Sequence, residues 1–583
     1  VLESGRLYEA QGQYVLAGSL PTVTIPATLQ DSLMARLDRL LTAKGIAQLG
    51  ATIGRQFSYA LIRTVAQLDE VTLQHELQRL VEHEILYQQG LPPHAEYSFK
   101  HALIQEAAYH TLIRRTRQQY HQRIAQQLEE HFPDMVASHP ELLAHHYTAS
   151  QLFGQATVYW QQAGRQAMER SANLEAITHL QKALDVLRAL PDTPHRFERE
   201  LELQTLLCVP LVATKSITSP EVGQAYQSAW ELYQRVGRAS HGFSSLLGLY
   251  RFHTLRGEFH LATPLEEQLL ELAQTPQDLA QLVEVHRRLG VTRFHRGEFA
   301  AALLHCQQAS AYYQPQQHHA QVYIYGWVDA GVSVLGYEAY ALWHLGYPTQ
   351  ALARAQAALR LAEVLSHPLS LAFAHHFIAR VHQHRREIPQ VQEHAEQAIA
   401  ISSTHAFPAR HAAGLILRGW AVAMQGQVDA GLSEVQQGLQ EVERLEAGVV
   451  TRPYFLALLA EVYARQQQFE AAFASLERAV ACMHSTDYEA EIYRLRGELI
   501  LAQGRASQAE AEACFSQALH IARRQQARMP ELRAALSLCQ AWILRGKLDQ
   551  ARQCLPPLYH GLSEGFETAD MQAAKQCIAA LGG

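Results

Sequence analysis

Residues 159–184, YWQQAGRQAMERSANLEAITHLQKAL, decide how the chain folds. Trp160, Ala163, Gly164 and Ala167 recur at three- and four-residue steps, the spacing of one helix face. Ala176, Leu180 and Ala183 repeat that spacing on a second helix. Small residues at such seams let neighbouring helices approach closely. Gly290, Ala302 and Ala309, and again Ala460, Ala472 and Ala479, renew the pattern downstream. One pair cannot bury its apolar face alone, so pairs must stack.

The pattern resembles the tetratricopeptide repeat, a helix pair with Trp, Leu-Gly and Tyr on the first helix and Ala and an aromatic on the second. Later units carry a Gly-x-aromatic or Gly-x-apolar turn: Gly257-Glu258-Phe259, Gly297-Glu298-Phe299, Gly426-Gln427-Val428 and Gly546-Lys547-Leu548. Gln467-Gln468-Phe469 is a version without glycine. Gly257 to Gly297 is 40 residues and Gly504 to Gly546 is 42, against about 34 in the standard repeat. Longer helices and a looser superhelix are expected. About ten pairs fit the pattern. Pro210, Pro220 and Thr214–Thr218 interrupt it within 190–240, and 555–583 reads as a terminal capping helix. The chain is thus expected to be mainly α, with a right-handed α-solenoid over 133–583.

Upstream, residues 97–132 form a joint. Tyr97 and Phe99 alternate, then Leu103, Ala107 and Ile104, Ala108, Leu112 take helical spacing, continued by Tyr120, Ile124 and Leu128. Ser58 can cap a helix bearing Leu61, Ile62 and Val65, and Asp69 one bearing Leu73, Leu77, Leu80 and Val81. Ile85–Tyr87 and Tyr97–Phe99 read as strands around a loop at Gly90, Pro92 and Pro93. Helix, helix, strand, turn, strand, helix is a winged-helix order, expected over 25–132 with a helical linker at 25–41 (IPATLQDSLMARLDRLL). Residues 1–24, with a short hairpin around Gly12, are expected to finish a domain that lies upstream, since Val1 stands in mid-pattern. A winged helix suggests DNA, but the charges object. Between Ala66 and Glu96 stand Asp69, Glu70, Glu76, Glu82, Glu84 and Glu96, with Arg79 the single Arg or Lys. A helix entering a phosphate-lined groove needs the opposite sign.

Composition sets wider bounds. In 583 residues, 48% are hydrophobic and 18% charged, enough apolar surface for packed domains. A net charge of −7 argues against bulk nucleic-acid binding. Seven scattered cysteines without a CxxC pair suggest reduced thiols and a cytoplasmic setting. No apolar run approaches the roughly 18 residues of a membrane span, and Glu3 and Glu9 do not suit a signal peptide.

No catalytic motif stands out. Gly331 and Gly336 have phosphate-loop spacing, but Tyr337-Glu338 replaces Lys-Ser/Thr, so both read as helix-packing positions. The 32 histidines include His145-His146, His318-His319, His375-His376 and His382-Gln383-His384. Adjacent histidines point to different helix faces and chelate poorly. His75-Glu76 lacks a second histidine, because Arg79 stands where HExxH needs one. No metal site is expected. Tyr312, Tyr313, Tyr323, Tyr325, Trp327, Tyr337, Tyr340 and Trp343 form an aromatic run, either helix-pair core or a peptide-binding concave face. His101 stands where a strand meets a helix start, which attracts anions through free N–H groups. It could bond a phosphate held by a neighbouring domain, or pack locally.

Long strings carry a resemblance to one family. IPATLQDSLMARLDRL (25–40), ATIGRQFSYALI (51–62), YSFKHALIQEAAYHTLIRRTRQQYHQRIAQQLEE (97–130), PELLAHHYT (140–148) and the 159–184 stretch resemble the C-terminal region of large bacterial signalling proteins. So do EIYRLRGELILAQG (491–504), AEACFSQALHIARRQQA (511–527) and EGFETADMQAAK (564–575). In that family a class III adenylate/guanylate cyclase domain, or a protein kinase, precedes a STAND-type AAA ATPase, a winged helix and tetratricopeptide repeats. The resemblance implies that both enzymatic activities, with ATP/ADP and Mg, belong to upstream domains. By the same resemblance His101 matches the winged-helix histidine that contacts nucleotide phosphates in the closed state, with Lys100 and Ala102 where animal and plant relatives carry Met and Asp.

The expected role is a non-catalytic sensor arm. Its partners would be the upstream ATPase and cyclase or kinase in cis, and a protein, peptide or small-molecule ligand on the repeats, with no nucleic acid and no membrane. Arg114, Arg115 and Arg117 could pair with ATPase acids or form a solvated basic face. Two alternatives are the arm of a STAND-type transcriptional regulator and a free-standing repeat scaffold.

Overall fold

The computed structural model describes residues 7–10, 13–16, 37–40, 42–170, 172–215, 217–237, 239–274, 279–319, 328–504 and 508–581. They fall into two units, Val1–Arg196 and Phe197–Gly583. Most of the expected helix at 25–41, and the aromatics Tyr323, Tyr325 and Trp327, lie outside the described residues.

In the first unit β1 (Leu7–Ala10) pairs antiparallel with β2 (Gln13–Leu16), Leu7 opposite Leu16. Then follow α1 (Thr42–Ile53), β3 (Gln56–Ser58), α2 (Tyr59–Ala66), α3 (Glu70–Glu82), β4 (Leu86–Gln89) and β5 (Glu96–Phe99). Both caps read from the sequence form. Ser58 Oγ accepts the Leu61 N–H at 3.2 Å, and the Asp69 carboxylate accepts the Thr72 N–H at 3.0 Å. The apolar stripes Leu61, Ile62, Val65 and Leu73, Leu77, Leu80 are buried as their spacing requires.

The sheet has the order β3-β5-β4, antiparallel throughout. β3 was not legible in the sequence. It is three residues long, and only Phe57 among them is apolar and buried. That ring stacks on Tyr97, its cross-strand partner, at 5.8 Å between centroids.

The joint at 97–132 breaks into two helices, α4 (Ala102–His110) and α5 (Arg114–His131). Arg117 seals the break. Its guanidinium donates to the Tyr109 and Leu112 carbonyls and lies 4.5 Å from the Tyr109 ring. It is thereby an internal clamp, while Arg114 and Arg115 stay exposed. Next come α6 (Pro133–Ser138), α7 (Pro140–Ala149) and the first helix pair, α8 (Phe153–Glu169) and α9 (Asn173–Arg188). Trp160 donates its indole N–H to Thr148 at 3.0 Å, and Gly164 sits against the Leu180 side chain.

From α10 (Pro194–Thr214) onward every element among the described residues is helical: α11 (Pro220–Val236), α12 (Ala239–Leu255), α13 (Phe259–Ala273), α14 (Leu279–His295), α15 (Phe299–Tyr312), α16 (Pro315–His318), α17 (Ala330–His344), α18 (Pro348–Leu365), α19 (Pro368–Arg385) and α20 (Ile388–Thr404). After these run α21 (Pro408–Met424), α22 (Val428–Arg444), a short 3-10 turn at Val449–Thr451, α23 (Arg452–Arg465), α24 (Phe469–Ala481), α25 (Glu489–Gln503), α26 (Gln508–Arg524), α27 (Arg528–Leu544), α28 (Leu548–His560) and α29 (Ala569–Ala580). Helices pack as hairpins, α14 with α15, α17 with α18 and so on to α27 with α28, in the manner of tetratricopeptide repeats. No helix of the described residues is long and apolar enough to cross a membrane.

Pro220 does not interrupt the pattern as expected. It opens α11 at the first helical position, with Ser219 Oγ accepting the Val222 N–H. Pro210 lies inside α10. The hairpin turns share a charge clamp that the sequence reading missed. In three turns a glutamate just before the second helix meets two basic side chains at or just past the end of the first: Glu258 with His253 and Arg256, Glu298 with Arg293 and Arg296, Glu387 with His382 and Arg385. The signal was present in the FHTLRGEF, RFHRGEF and VHQHRRE strings.

The superhelix of the second unit is tight, not loose. Successive turns touch. The Thr486 N–H donates to the His295 carbonyl at 2.8 Å, Thr218 bonds the Glu446 carbonyl, and Glu564 bonds the start of α18. One apolar core holds Phe294, Trp343, Phe377, Phe515, Met529 and Met571 together. Longer helices set the step along the chain, but curvature is set by how inner helices pack. Here small and aromatic side chains let them meet across the axis.

Candidate functional site

His101 is the N-cap residue of α4. Its backbone is extended (φ −136°, ψ 143°), its carbonyl accepts the Ile104 N–H at 3.0 Å, and its side chain makes no capping bond. The imidazole is exposed. Lys100 beside it pairs with Glu84 at 2.8 Å and lies 5.5 Å from the Tyr87 ring. A shallow recess of about 420 Å³ opens here, lined by Arg55, Gln56, Tyr87, Ser98, Phe99 and Lys100. Sheet pairing brings Arg55 to it, because the Phe99 N–H donates to the Arg55 carbonyl at 3.0 Å. A strand end, a helix start and two cations thus share one edge of the first unit.

The histidine clusters divide as helix geometry demands. His146 bonds His121, Nδ1 to Nδ1 at 2.8 Å, while His145 meets the His121 ring only edge-on, at 5.7 Å between centroids. His286 meets His305 at 3.1 Å and His375 meets His394 at 3.2 Å, each pair 19 residues apart and bridging a hairpin. In each pair one nitrogen must carry the shared proton and the other accept it, so doubly protonated pairs are disfavoured. Burial pushes His121, His305 and His375 from 6.5 down to about 4, with neighbouring histidine charge acting the same way. Among the described residues no group of three His, Cys, Asp or Glu has the placement to hold a metal ion.

This sets a pH dependence. Unfolded histidines take up protons as pH falls through about 6.5, while these folded ones resist until about 4. Stability is therefore intact above the unfolded value and is lost progressively across that interval. Thermal unfolding should show a lower midpoint at about pH 5 than at about pH 7, and replacing His375 and His394 together by Gln should remove part of the slope. A midpoint independent of pH over this range would refute the neutral-pair assignment.

Of the aromatic run, Tyr340 and Trp343 are interior and Tyr337 is partly buried against them, while Tyr312 is partly exposed and Tyr313 bonds Asp329 at 2.7 Å. Gly336 packs on Phe377 and Gly331 on Tyr313, the helix-packing roles expected of them. The interior aromatics face a charge network on the inner helices. Arg380 donates to Asp487 at 2.9 Å, with its guanidinium 4.7 Å from the Tyr340 ring and 4.2 Å from that of Tyr454. Arg533 donates to Asp570 at 2.7 Å, to Glu491 at 3.2 Å and to the His384 carbonyl.

Burial would raise the carboxyls of Asp487 and Glu491. His295 and Arg380 for the first, and Arg494 and Arg533 for the second, outweigh it and hold each at about 2. These charges look like surface residues in the sequence. One signal was available, since Arg380 follows Phe373 and Phe377 on the same helix face. The inner face is therefore filled by its own side chains.

No family model matches the chain. An uncharacterized protein of Rhizobium meliloti (strain 1021) is 24% identical over 529 residues, covering 89% of this chain and 51% of that protein. The chain thus spans about half the length of the curated relative it matches. Among solved structures, a Rap protein complexed with competence and sporulation factor shares 12% identity over 68% of this chain and 99% of its own, at a TM-score of 0.44. The APC/C hetero-tetramer Cut9-Hcn1 shares 13% over 80% of this chain and 86% of its own, at 0.45. A STAND protein with a tetratricopeptide repeat sensor from Pyrococcus horikoshii shares 9% over 91% of this chain and 68% of its own, at 0.35.

Proposed function

We propose that this chain is a non-catalytic regulatory arm in which a winged helix couples stacked repeats to a nucleotide-binding module of the same polypeptide. The observation that carries this reading is the element order of residues 42–99. Helix, strand, two helices and a two-stranded hairpin, closed by a three-stranded sheet, precede the stacked helix pairs. The acidic surface of α3 and its flanks favours a protein-facing role over DNA. His101 is the residue assigned to the nucleotide phosphates, because it stands exposed at a helix start, next in sequence to Lys100, which lines the recess with Arg55. The ATP or ADP with Mg, and the cyclase or kinase output, belong to the upstream part. The repeats receive a protein or small-molecule ligand whose binding alters how the winged helix docks.

The test is calorimetric binding of ADP and ATP to this chain and to the chain extended upstream, each with His101 intact and as His101→Ala. Only the extended form should bind, and His101→Ala should weaken ADP about tenfold or more, the worth of one hydrogen bond to a charged group. Because the imidazole is exposed, the same substitution should leave thermal unfolding of the short chain unchanged. Nucleotide binding by the short chain, or unchanged ADP affinity of the extended His101→Ala form, would sink the proposal.

A further inference from the structure

The segment between α28 and α29 carries Glu564 and Glu567, and Asp570 follows at the same three-residue step in the first turn of α29. Each binds a group far back in the chain. Glu564 accepts the Thr349 N–H at 2.8 Å, the Gln350 N–H at 3.0 Å and the Gln350 side-chain amide at 3.0 Å. Tyr347, the N-cap residue of α18, supplies no side-chain acceptor. A carboxylate 214 or 215 residues away caps that helix instead. Glu567 accepts from Arg385 at 3.1 Å, and Asp570 pairs with Arg386 at 3.1 Å as well as with Arg533.

The acceptor is built for this. Arg385 is buried, and its other nitrogens donate to the Pro348 carbonyl and to Glu387, which fixes the fork. Gly565 has a left-handed backbone (φ +75°) and lies so close to the Pro348 ring that a Cβ there would overlap it. Only the middle of the segment, residues 563–567, is lightly held. Its ends are buried at Leu562 and at Thr568 and Asp570, while Glu567 is 58% exposed and Phe566 is 44% exposed. Polar contacts at a solvent-facing seam exchange readily with competing carboxylates.

We infer that residues 563–567 are a detachable strap, and that the surface beneath them is a receptor for an acidic peptide. The free N–H groups of α18 and the Arg385 fork recognise two carboxylates, and the Pro348 ring requires a glycine between them. In this structure the chain occupies its own receptor. A competing acidic segment displaces the strap and frees the contacts between successive turns. The inference goes beyond the regulatory reading, and failure of the nucleotide test would leave it standing.

The experiment uses the full chain and a fluorescein-labelled peptide of residues 560–571, read by anisotropy together with hydrogen exchange at the Thr349 and Gln350 amides. The strap variants are Gly565→Ala and, separately, Glu564→Gln with Glu567→Gln. An occupied receptor weakens apparent affinity by its free fraction, so both variants should bind the peptide about tenfold or more tightly than the wild type. Their two amides should exchange about tenfold faster and be protected again by peptide. Adding Arg385→Met should abolish the gain in affinity. The inference is overturned if folded strap variants bind no better than wild type, if binding ignores Arg385→Met, or if the two amides exchange at the wild-type rate. Failure of the Glu564→Gln, Glu567→Gln variant to fold would also overturn it, because the segment would then be integral to the fold.

Discussion

Asp487→Ala should destabilise the second unit by about 3–5 kcal/mol, the cost of leaving one partner of a buried ion pair unpaired. Arg380 is 2% exposed and Asp487 5% exposed, so water cannot replace the lost carboxylate. The rings of Tyr340 and Tyr454 would still face the guanidinium, but a cation over a ring recovers only about 2 kcal/mol when desolvated. Asp487 also faces His295 on α14 at 3.5 Å, so its removal loosens both α14 and α19 from the turn before α25. Urea unfolding followed by circular dichroism measures the loss. The double variant Arg380→Met, Asp487→Leu should cost less than Asp487→Ala alone, because it removes both charges. A loss under about 1 kcal/mol for Asp487→Ala would show that the network is hydrated and that inner helices part readily.

Trp343→Ala should cost about 3–5 kcal/mol, and Trp343→Phe much less. Trp343 is fully buried, stacked on His384 at 4.4 Å, with the Arg533 guanidinium 4.8 Å from its ring. Truncation to alanine leaves a cavity lined by aromatic and charged groups that cannot collapse together. Phenylalanine keeps most of the packed area and removes an indole N–H that has no acceptor among the described residues. The comparison also decides between the two readings of the aromatic run. A side chain kept only for a ligand would lose binding without stability. If Trp343→Ala unfolds at the wild-type urea midpoint, the buried assignment fails.

Much of the local structure was legible in the sequence. The caps at Ser58 and Asp69, the helix faces around Leu61 and Leu73, and the seam between Gly164 and Leu180 all follow from spacing over a few residues. The short strand β3 was not, because three residues carry no period. Nor was the role of Arg117, since an arginine that seals a helix break and one that faces solvent look alike in a list of residues.

The sequence by itself determined that the chain is a series of amphipathic helices in stacked pairs, led by a small mixed α/β region. Periodicity carries that information, because it reports which face of each helix avoids water. Only the tertiary structure decided that the turns of the second unit close on one another. It also decided that Arg380, Asp487, Glu491 and Arg533 are interior, and that Glu564 and Gly565 lie against the start of α18. Partners 107 to 215 residues apart share no local pattern. Whether a charge is solvated or buried depends on what curvature brings opposite it, which is a property of the packed helices together and of no single stretch.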